Sequence, residues 1–389
     1  MKKRFFVFIF LILSVSAFSQ IDTNDFSKCF RPAITVDYLY GKVNDNGVEN
    51  VGSSHYGKVA FFNQTGHQEG SFFKDYNSPL VGFTFLGGYL GHKDVFGAVF
   101  ALYPTWSYHF FKDKTLGWDV TFGAGFAYFT KPFDKITNLD NKLVGAHFSN
   151  VTELSANLIF RVNSMLFIRA GAGVHHFSNG HTAMPNIGVN DLSVRLGLVY
   201  KPGALVGMEM PTRRRFVRDS VWRKNFTFSY GRHELGYSIY PVDGPTYNVF
   251  GLGLGLSRQF GYIHEFYCGA SITYYDSYHT WIVRDELYSH FKHFRASTIA
   301  LHAGHEFLLQ HFGFVTDIGI KLHDPILRNH LLSGKTVMNT FKKIFAFKAG
   351  LEVYPYKNAF SGQKLSLGMY IKTNFLQANF VEFNTTFTF

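Results

Sequence analysis

Alternation of apolar and polar positions is the dominant pattern along this chain. Between Leu116 and Tyr128 the even-numbered positions are aliphatic or aromatic, whereas the odd-numbered positions are glycine, alanine, threonine or aspartate. A period of two places successive side chains on opposite faces of a β-strand. The segment is therefore predicted to be a strand with one greasy face and one small or polar face, as in a barrel with a polar lumen.

The same pattern recurs to the end of the chain. Phe345 to Val353 alternate in this way, and so do Val381 to Phe389, where an amphipathic strand ends on an aromatic residue. Such a last strand is typical of outer-membrane barrels, since an exposed flat edge is a liability. About 14 to 16 such segments can be counted, roughly twice what a small barrel needs. We therefore predict an all-β protein, an antiparallel transmembrane β-barrel, built as two small tandem barrels or as one larger barrel of roughly 14–16 strands.

The N-terminus has the parts of an export signal. A basic segment, Lys2 to Arg4, precedes an apolar run from Phe5 to Val15, and Ala17-Phe18-Ser19 fits a small-x-small cleavage site. The run is too short to span a bilayer as a helix, and no later stretch holds about 18 uninterrupted apolar residues. Residues 1–19 are therefore predicted to be a signal peptide, and the absence of a Cys directly after the cut argues against a lipid anchor.

A basic stretch divides the remaining chain. Lys201 to Lys224 contains Pro202, Pro211 and the run Arg213 to Arg215, which together indicate a linker or long loop. The predicted organisation is a first barrel region with the candidate site at 20–202, a basic linker at 203–224, and a second barrel region of unassigned function at 225–389. Both regions end in an amphipathic strand, which suggests duplication.

Composition agrees with export to a membrane. Aromatic residues make up 18% of the chain, with 45 Phe and 22 Tyr, whereas charged residues make up only 17%. The net charge of +11 could suit nucleic acid, but the export signal and the scattered basic residues favour an anionic membrane surface such as lipopolysaccharide phosphates. Cys29 and Cys268 could form one disulfide or remain two free thiols, and neither has metal-ligand spacing.

Two side chains suited to ester chemistry fall on one face of a predicted strand. His176 and Ser178 are two positions apart, so the imidazole could take the hydroxyl proton. The even-numbered positions from Leu166 to Val174 form an apolar row that leads into them. Polar groups at the edge of a lipid-facing row are costly unless they have a use. The alternative is a set of ordinary interfacial polar residues at a strand end.

The next strand supplies a third partner. Its apolar positions from Leu192 to Tyr200 are even-numbered, and the same phase places Asn190 opposite His176, whereas Asp191 falls on the lumenal face. The expected site is a Ser-His-Asn triad that faces acyl chains. In it His176 is the general base, Ser178 is the nucleophile and Asn190 orients the ring.

The loop after Ser178 is expected on the outer side of the membrane. Arg161 to Ser164 indicates a tight turn of the kind found on the periplasmic side of barrels, and the loop at the opposite end is longer. Donors from Asn179, Gly180 or Asn186 in this loop would hold the oxyanion.

The tetrapeptide at the candidate site occurs twice. His147-Phe148-Ser149-Asn150 lies in the preceding strand, whose apolar positions, Leu154 to Phe160, are even-numbered, so His147 and Ser149 are expected to point into the lumen unless a bulge intervenes. Position 161, fourteen after this histidine, is an arginine and could not orient an imidazole. Asn150 falls on the lipid phase and is expected to neighbour His176 as a supporting group.

No metal site is predicted. His175, His176 and His181 fall on different faces or in a loop. Gly251 to Gly255 resembles a phosphate-binding loop only superficially, because no helical pattern follows it, and is predicted to be a smooth strand face.

These residues resemble a known family. His176 to Gly180, followed by Pro185 to Asn190 and an amphipathic strand that ends at Tyr200, is similar to the lipid A 3-O-deacylase family, some members of which are described as acyloxyacyl hydrolases. Ala101 to Pro104 and Gly123 to Tyr128 also resemble it, and the resemblance covers roughly residues 80 to 202. It implies a small barrel in the cell outer membrane that removes an ester-linked acyl chain from lipid A, at a site on its lipid-facing wall, without a cofactor. It implies His176 as base and Ser178 as nucleophile, with Asn179 and Asn186 near the oxyanion.

One position departs from that family. The resemblance implies a glutamate as third member of the triad, and this chain has Asn190 at the matching spacing. Outer-membrane phospholipase A also carries an H-x-S-N-G segment, with Asn as its third member. Phospholipid is therefore an alternative substrate, with calcium near the oxyanion. A non-catalytic porin or structural barrel is the alternative from a different class, and a homodimer is compatible with the enzymatic functions.

Overall fold

The computed structural model describes most of the chain beyond its N-terminal segment. The described residues are 31–44, 48–49, 51–64, 78–111, 114–202, 221–234, 242, 244–261, 263–309, 312–332, 334, 336–358, 361–375 and 377–389. The predicted signal peptide, Cys29 and most of the predicted linker therefore lie outside the described residues. Within these ranges, no helix has the length and apolar character needed to cross a membrane.

The first eight strands form one closed antiparallel barrel. They are β1 (Pro32–Val43), β2 (Ser53–Gln64), β3 (Leu80–Tyr89), β4 (Ala98–Phe110), β5 (Leu116–Phe129), β6 (Phe148–Arg161), β7 (Leu166–Ser178) and β8 (Val189–Tyr200). Each strand pairs with its neighbour in sequence, and β8 closes the barrel on β1, with Ile34 opposite Tyr200 and Val43 opposite Asp191. A short helix, α1 (Lys93–Phe96), joins β3 to β4.

The last eight strands form a second closed barrel of the same topology. They are β9 (Arg223–Glu234), β10 (Thr246–Phe260), β11 (His264–Tyr275), β12 (Ser297–Leu309), β13 (Phe312–His323), β14 (Phe345–Lys357), β15 (Lys364–Asn374) and β16 (Gln377–Thr388). β16 pairs with β9 and closes the barrel. Helices α2 (Asp276–Arg284) and α3 (Lys292–Arg295) join β11 to β12, and a π-helix (Leu327–Leu331) and α4 (Val337–Ile344) join β13 to β14.

The predicted all-β barrel fold is confirmed, and of its two alternatives the tandem arrangement is correct. Closure depends on pairing between β1 and β8 and between β9 and β16, strands that are far apart in the chain. The alternating pattern indicates how many strands there are, but it does not predict which strands pair to close a barrel. Eight strands enclose an interior that side chains can fill.

The predicted strand faces are also confirmed. On β5, Leu116 is 55% exposed whereas Asp119 is 1% exposed. Asp119 lies inside the barrel with Asp37, and the guanidinium of Arg169 donates to both, at 3.2 and 3.0 Å. In the same lumen, the carboxylate of Glu153 forms ion pairs with the buried side chains of Lys58 and Arg195. Buried charges are tolerated there because they are paired and hydrogen-bonded.

An apolar cluster fills the first barrel at the end where β7 stops and β8 starts. Phe177, Phe129 and Val189 are almost completely buried in it. The rings of Phe129 and Phe177 meet edge to face, with centroids 5.6 Å apart. Phe177 and Val189 face each other across β7 and β8, and both side chains point into this cluster. Since successive side chains of a strand point to opposite faces, the adjacent residues His176, Ser178 and Asn190 lie on the outer wall.

Connections differ in length at the two ends of the first barrel. At one end the turn between β6 and β7 is closed by the Asn163 side chain, whose Oδ1 accepts from the backbone N–H groups of Met165 and Leu166, both at 2.9 Å. At the other end, residues 179–188 join β7 to β8.

The two barrels contact each other at Phe122 and Phe314, whose ring centroids are 5.1 Å apart. The loop of residues 179–188 also contacts the second barrel.

Candidate active site

β7 and β8 bring His176 and Asn190 face to face on the outer wall of the first barrel. The two residues are direct partners in the antiparallel register, and His176 Nδ1 lies 2.6 Å from Asn190 Oδ1. An amide oxygen can only accept a hydrogen bond, so Nδ1 carries the proton and donates it. The other ring nitrogen, Nε2, is then left with its lone pair available as a base.

Asn44, which follows β1, fixes Asn190 from the far side. The backbone N–H of Asn190 donates to Asn44 Oδ1 at 2.6 Å, and the backbone N–H of Asn44 donates to the Asn190 carbonyl at 3.0 Å. Asn44 is not among the residues that the alternation of β7 and β8 predicts for the site. The only signal that could have found it is the closure of β1 on β8, which local alternation does not reveal.

Ser178 lies two residues beyond His176, at the end of β7, and is 7% exposed. Its Oγ accepts from the backbone N–H of Gly180 at 3.2 Å and from Nδ2 of Asn186 at 3.0 Å. Among the hydrogen bonds of the described residues, none joins Ser178 to His176. Two of the loop groups expected near an oxyanion therefore converge on the serine oxygen.

The loop donors are themselves braced. The backbone N–H of Asn179 donates to Asn186 Oδ1 at 3.2 Å, and Asn179 Nδ2 donates to the Ala183 carbonyl at 2.6 Å. Asn179 and Asn186 are each 4% exposed. Since the Asn179 N–H is already bound to Asn186, the geometry makes Asn179 a support for the Asn186 amide.

Gly188 lets the returning loop pass close to the histidine ring. A Cβ built at this position would lie 3.3 Å from His176 Cε1 and 3.2 Å from the Phe177 carbonyl oxygen. Its φ of +82° also lies in the region that favours glycine. Any other residue here would press on the imidazole.

Comparison with known protein families agrees with the two-barrel architecture. The family described as lipid A 3-O-deacylase (PagL) matches residues 62–199. The family described as acyloxyacyl hydrolase, C-terminal domain, matches residues 222–389. The first match covers the strands that carry His176, Ser178 and Asn190, and the second covers the second barrel.

The resemblance of this chain to the lipid A 3-O-deacylase family is thereby confirmed.

The solved structures that resemble this chain do so at low sequence identity. The crystal structure of the outer membrane enzyme PagL is 15% identical, with 42% of this chain and 97% of that chain covered and a TM-score of 0.30. Pseudomonas aeruginosa OccK10 is 10% identical, with 93% and 99% covered and a TM-score of 0.21. Acinetobacter baumannii OccAB2 is 9% identical, with 93% and 98% covered and a TM-score of 0.22. No curated protein matches the chain.

The two family matches support a general activity and a location for this chain. They support a hydrolase that acts on lipid A and a β-barrel that lies in the outer membrane. The matched residues include β3 to β8 of the first barrel, up to residue 199, and all eight strands of the second barrel.

The second copy of the tetrapeptide does not assemble a comparable site in this chain. Ser149 is 6% exposed inside the barrel. His147 was expected in the lumen, but it precedes β6, is exposed, and stacks on Tyr128 with ring centroids 5.3 Å apart. The expectation for His147 was wrong because the strand phase that it assumed begins only at Phe148. The two side chains therefore point away from each other.

Asn150 occupies a different position from the one expected. The register pairs it with Ser178, whereas Thr152 lies opposite His176. The expectation that Asn150 lies across from His176 was therefore wrong, because Asn150 is two residues away along β6 from the position opposite this histidine. Asn150 remains on the outer wall beside the serine.

The three histidines considered for metal binding are separated. His175 is fully buried in the lumen, where its Nε2 lies 3.9 Å from Glu153. His176 is on the outer wall, and His181 is in the loop, 4% exposed. Across the part of the chain that the structure describes, no cluster of three His, Cys, Asp or Glu side chains is arranged to hold a metal ion. Asp191 accepts a hydrogen bond from Ser54 in the lumen and does not reach His176.

Proposed function

We propose that the first barrel is a serine esterase that removes an ester-linked acyl chain from lipid A. Ser178 is the nucleophile, His176 is the general base and Asn190 orients the imidazole. One observation carries this proposal: a histidine oriented through Nδ1 lies on the outer wall two residues from a serine whose Oγ meets two N–H donors. Nucleophile, base, orienting group and oxyanion donors are the parts that acyl transfer requires.

His176 moves the proton in both halves of the reaction. Its Nε2 takes the proton of Ser178 as Oγ attacks the ester carbonyl carbon. The imidazolium then gives that proton to the sugar oxygen as the ester bond breaks, and an acyl-enzyme remains. In the second half, Nε2 takes a proton from water, which attacks the acyl-enzyme, and the proton returns to Oγ as the fatty acid leaves.

The loop donors stabilise the charge on the carbonyl oxygen. In the resting arrangement they bind the serine Oγ itself. Rotation about the Cα–Cβ bond of Ser178 would turn Oγ towards His176 and release the Gly180 N–H and Asn186 Nδ2 for the substrate oxygen. A donor of this kind contributes roughly 10²–10³ to kcat, about 3–4 kcal/mol.

A strip of small side chains on the outer wall leads away from the triad. Ala172 pairs with Ala156 of β6, and Ala170 lies between Leu158 of β6 and Leu196 of β8. Leu158 is 58% exposed and Leu196 is 61% exposed. The alanines therefore form a shallow apolar strip between taller leucines, and we propose that the scissile acyl chain lies along it.

The test is the acylation pattern of lipid A, measured by mass spectrometry in cells that express the wild type, Ser178→Ala or Ser149→Ala. We expect the wild type and Ser149→Ala to remove one acyl chain and Ser178→Ala to leave lipid A intact. Ser149 is the matched control because it stands in the same tetrapeptide but lies in the lumen. Equal patterns for the wild type and a folded Ser178→Ala would overturn the proposal.

A phospholipase is the second candidate, and Asn190 is the observation that favours it. An amide as third member resembles the triad of outer-membrane phospholipase A, so phospholipid and a role for calcium near the oxyanion stay open as proposals. Fatty-acid release from phosphatidylethanolamine vesicles, with calcium and with a chelator, measures this activity. Release from phospholipid with unchanged lipid A would favour it, whereas ion conductance without any esterase activity would favour a non-catalytic barrel.

A further inference from the structure

The second barrel holds the loop that carries the oxyanion donors. Glu234, the last residue of β9, is 3% exposed. Its Oε2 accepts from the backbone N–H of Met184 at 3.2 Å, and its own backbone N–H donates to the His181 carbonyl at 3.5 Å. Its Oε1 accepts from the backbone N–H of Gly244 in the second barrel. One carboxylate therefore ties the loop between β7 and β8 to β9 and to Gly244, which precedes β10.

The same loop packs tightly against β16. A Cβ at Gly180 would lie 2.6 Å from Val381 Cγ2, and the φ of Gly180 is +63°. Gly180 is the residue whose backbone N–H binds the Ser178 oxygen. The position of an oxyanion donor is thus set in part by a side chain of the other barrel.

Burial makes these contacts consequential. His181 and Met184 are 4% and 2% exposed, so loss of the Glu234 carboxylate would leave the Met184 N–H without that acceptor in a site closed to water. An unsatisfied buried donor is costly, and the loop would shift to find another partner. Asn186, two residues beyond Met184, would move with it.

We infer that the second barrel positions the active site of the first, with Glu234 as the positioning residue. The inference rests on the proposed esterase function. It assigns a role to residues 222–389, which the matching family describes only as a C-terminal domain. Glu234 touches neither substrate nor the reacting atoms. It acts through the loop that presents Gly180 and Asn186.

The first test compares Glu234→Gln and Glu234→Ala with the wild type on lipid A in detergent micelles. Donors aimed at the transition state affect kcat, so we expect kcat to fall about tenfold in Glu234→Ala with KM little changed. The two carboxylate oxygens of Glu234 accept from two backbone N–H groups, whereas the glutamine amide has only one oxygen to accept with. Its NH2 group would face the other backbone N–H, so Glu234→Gln should also lose activity. Glu286→Gln, at an exposed position after α2, is the matched control and should behave as the wild type.

The second test does not depend on Glu234 variants folding. Gly180→Ala should lose activity because of both the positive φ and the clash with Val381, and adding Val381→Ala should restore part of it, since only the clash is removed. The rate at which a fluorophosphonate labels Ser178 should follow the same order. No recovery in the double variant would mean that the second barrel does not set the position of Gly180.

The outcomes separate the two proposals. If the wild type and Ser178→Ala hydrolyse lipid A equally, the esterase proposal fails. If hydrolysis depends on Ser178 but folded Glu234→Ala keeps the wild-type kcat, the positioning role is wrong and the esterase proposal stands. Lower kcat in Glu234→Ala, together with recovery in the Gly180 and Val381 double variant, would support both.

Discussion

Replacement of Asn190 by aspartate tests the triad most directly. The substitution keeps the size of the side chain and the Oδ1 acceptor that lies 2.6 Å from His176 Nδ1, and it adds a negative charge. The imidazole becomes an imidazolium only as Ser178 is deprotonated. A carboxylate stabilises that cation more than an amide does, so Asn190→Asp should accelerate the reaction.

The size of the gain follows from the geometry and the exposure. The centres of an imidazolium and a carboxylate in this contact are about 4 Å apart, where unit charges interact by about 1 kcal/mol in water and about 4 kcal/mol at an effective dielectric constant of 20. His176 is near the end of β7 and Asn190 is near the start of β8, so the pair lies at the rim of the barrel, where water and ions screen charge, and this favours the lower part of that range. A gain of about 1–2 kcal/mol corresponds to roughly 5- to 30-fold in kcat/KM. Asn190→Ala removes the acceptor and should cost about tenfold.

The assay is kcat/KM for acyl release from lipid A micelles by the wild type, Asn190→Asp and Asn190→Ala. Asn150→Asp is the comparator, because it adds the same charge on the outer wall opposite Ser178 without contact to His176. We expect Asn190→Asp to be fastest and Asn190→Ala slowest, with a smaller change for Asn150→Asp. An Asn190→Asp variant no faster than the wild type, or an Asn190→Ala variant equal to it, would refute the role of this residue.

Three further perturbations follow from the structure. Gly188→Ala should lower kcat about tenfold, since a strained φ of +82° and a Cβ 3.3 Å from His176 Cε1 act together. Glu153→Ala should lower the free energy of unfolding in urea by about 3–5 kcal/mol, because it strips Lys58 and Arg195 of a buried partner at 2.5 and 2.7 Å. Burial lowers the pKa of His181 to about 4, whereas the imidazole of the unfolded chain takes up a proton near pH 6.5. The free energy of unfolding should therefore fall by up to about 3 kcal/mol as the pH drops from 6.5 towards 4. The His181→Asn variant should not show this decrease.

Each of these expectations has its own check. Gly57→Ala is the control for Gly188→Ala, because no atom lies within 4 Å of its added Cβ; equal activities for the two variants would contradict the crowding at His176. A loss below about 1 kcal/mol for Glu153→Ala would mean that the buried cations find other partners. Parallel unfolding free energies of the wild type and His181→Asn between pH 4 and pH 6.5 would show that His181 does not titrate on unfolding.

Strand phase, a local property, was readable from the sequence. Alternation placed His176 and Ser178 on the outer wall and Ser149 and Asp191 in the lumen, and the structure has these four side chains on those faces. It also selected Asn190 as the residue across from His176. This worked because a one-residue error would turn every side chain of a strand to the other face, so the apolar pattern specifies the phase strongly.

Register and strand ends were less readable. The turn after β6 sets the pairing of β6 with β7, and it places Asn150 opposite Ser178. The start of β6 at Phe148 leaves His147 outside the alternating phase. Both depend on turn geometry that composition does not specify, since a few residues more or less in a connection move every partner.

The sequence by itself determined that the chain is a β-barrel, because the alternation of apolar and polar positions has a period of two. It also determined that Ser178, His176 and Asn190 face outward, because all three lie in one hairpin whose strand phase can be assigned from that alternation. Only the tertiary structure decided that the sheet closes twice, that Asn44 holds Asn190, and that Glu234 and Val381 of the second barrel hold the loop beside Ser178. These contacts join positions far apart in the chain, and no local pattern encodes them. They form because closure of each barrel and contact between the barrels bring those positions together.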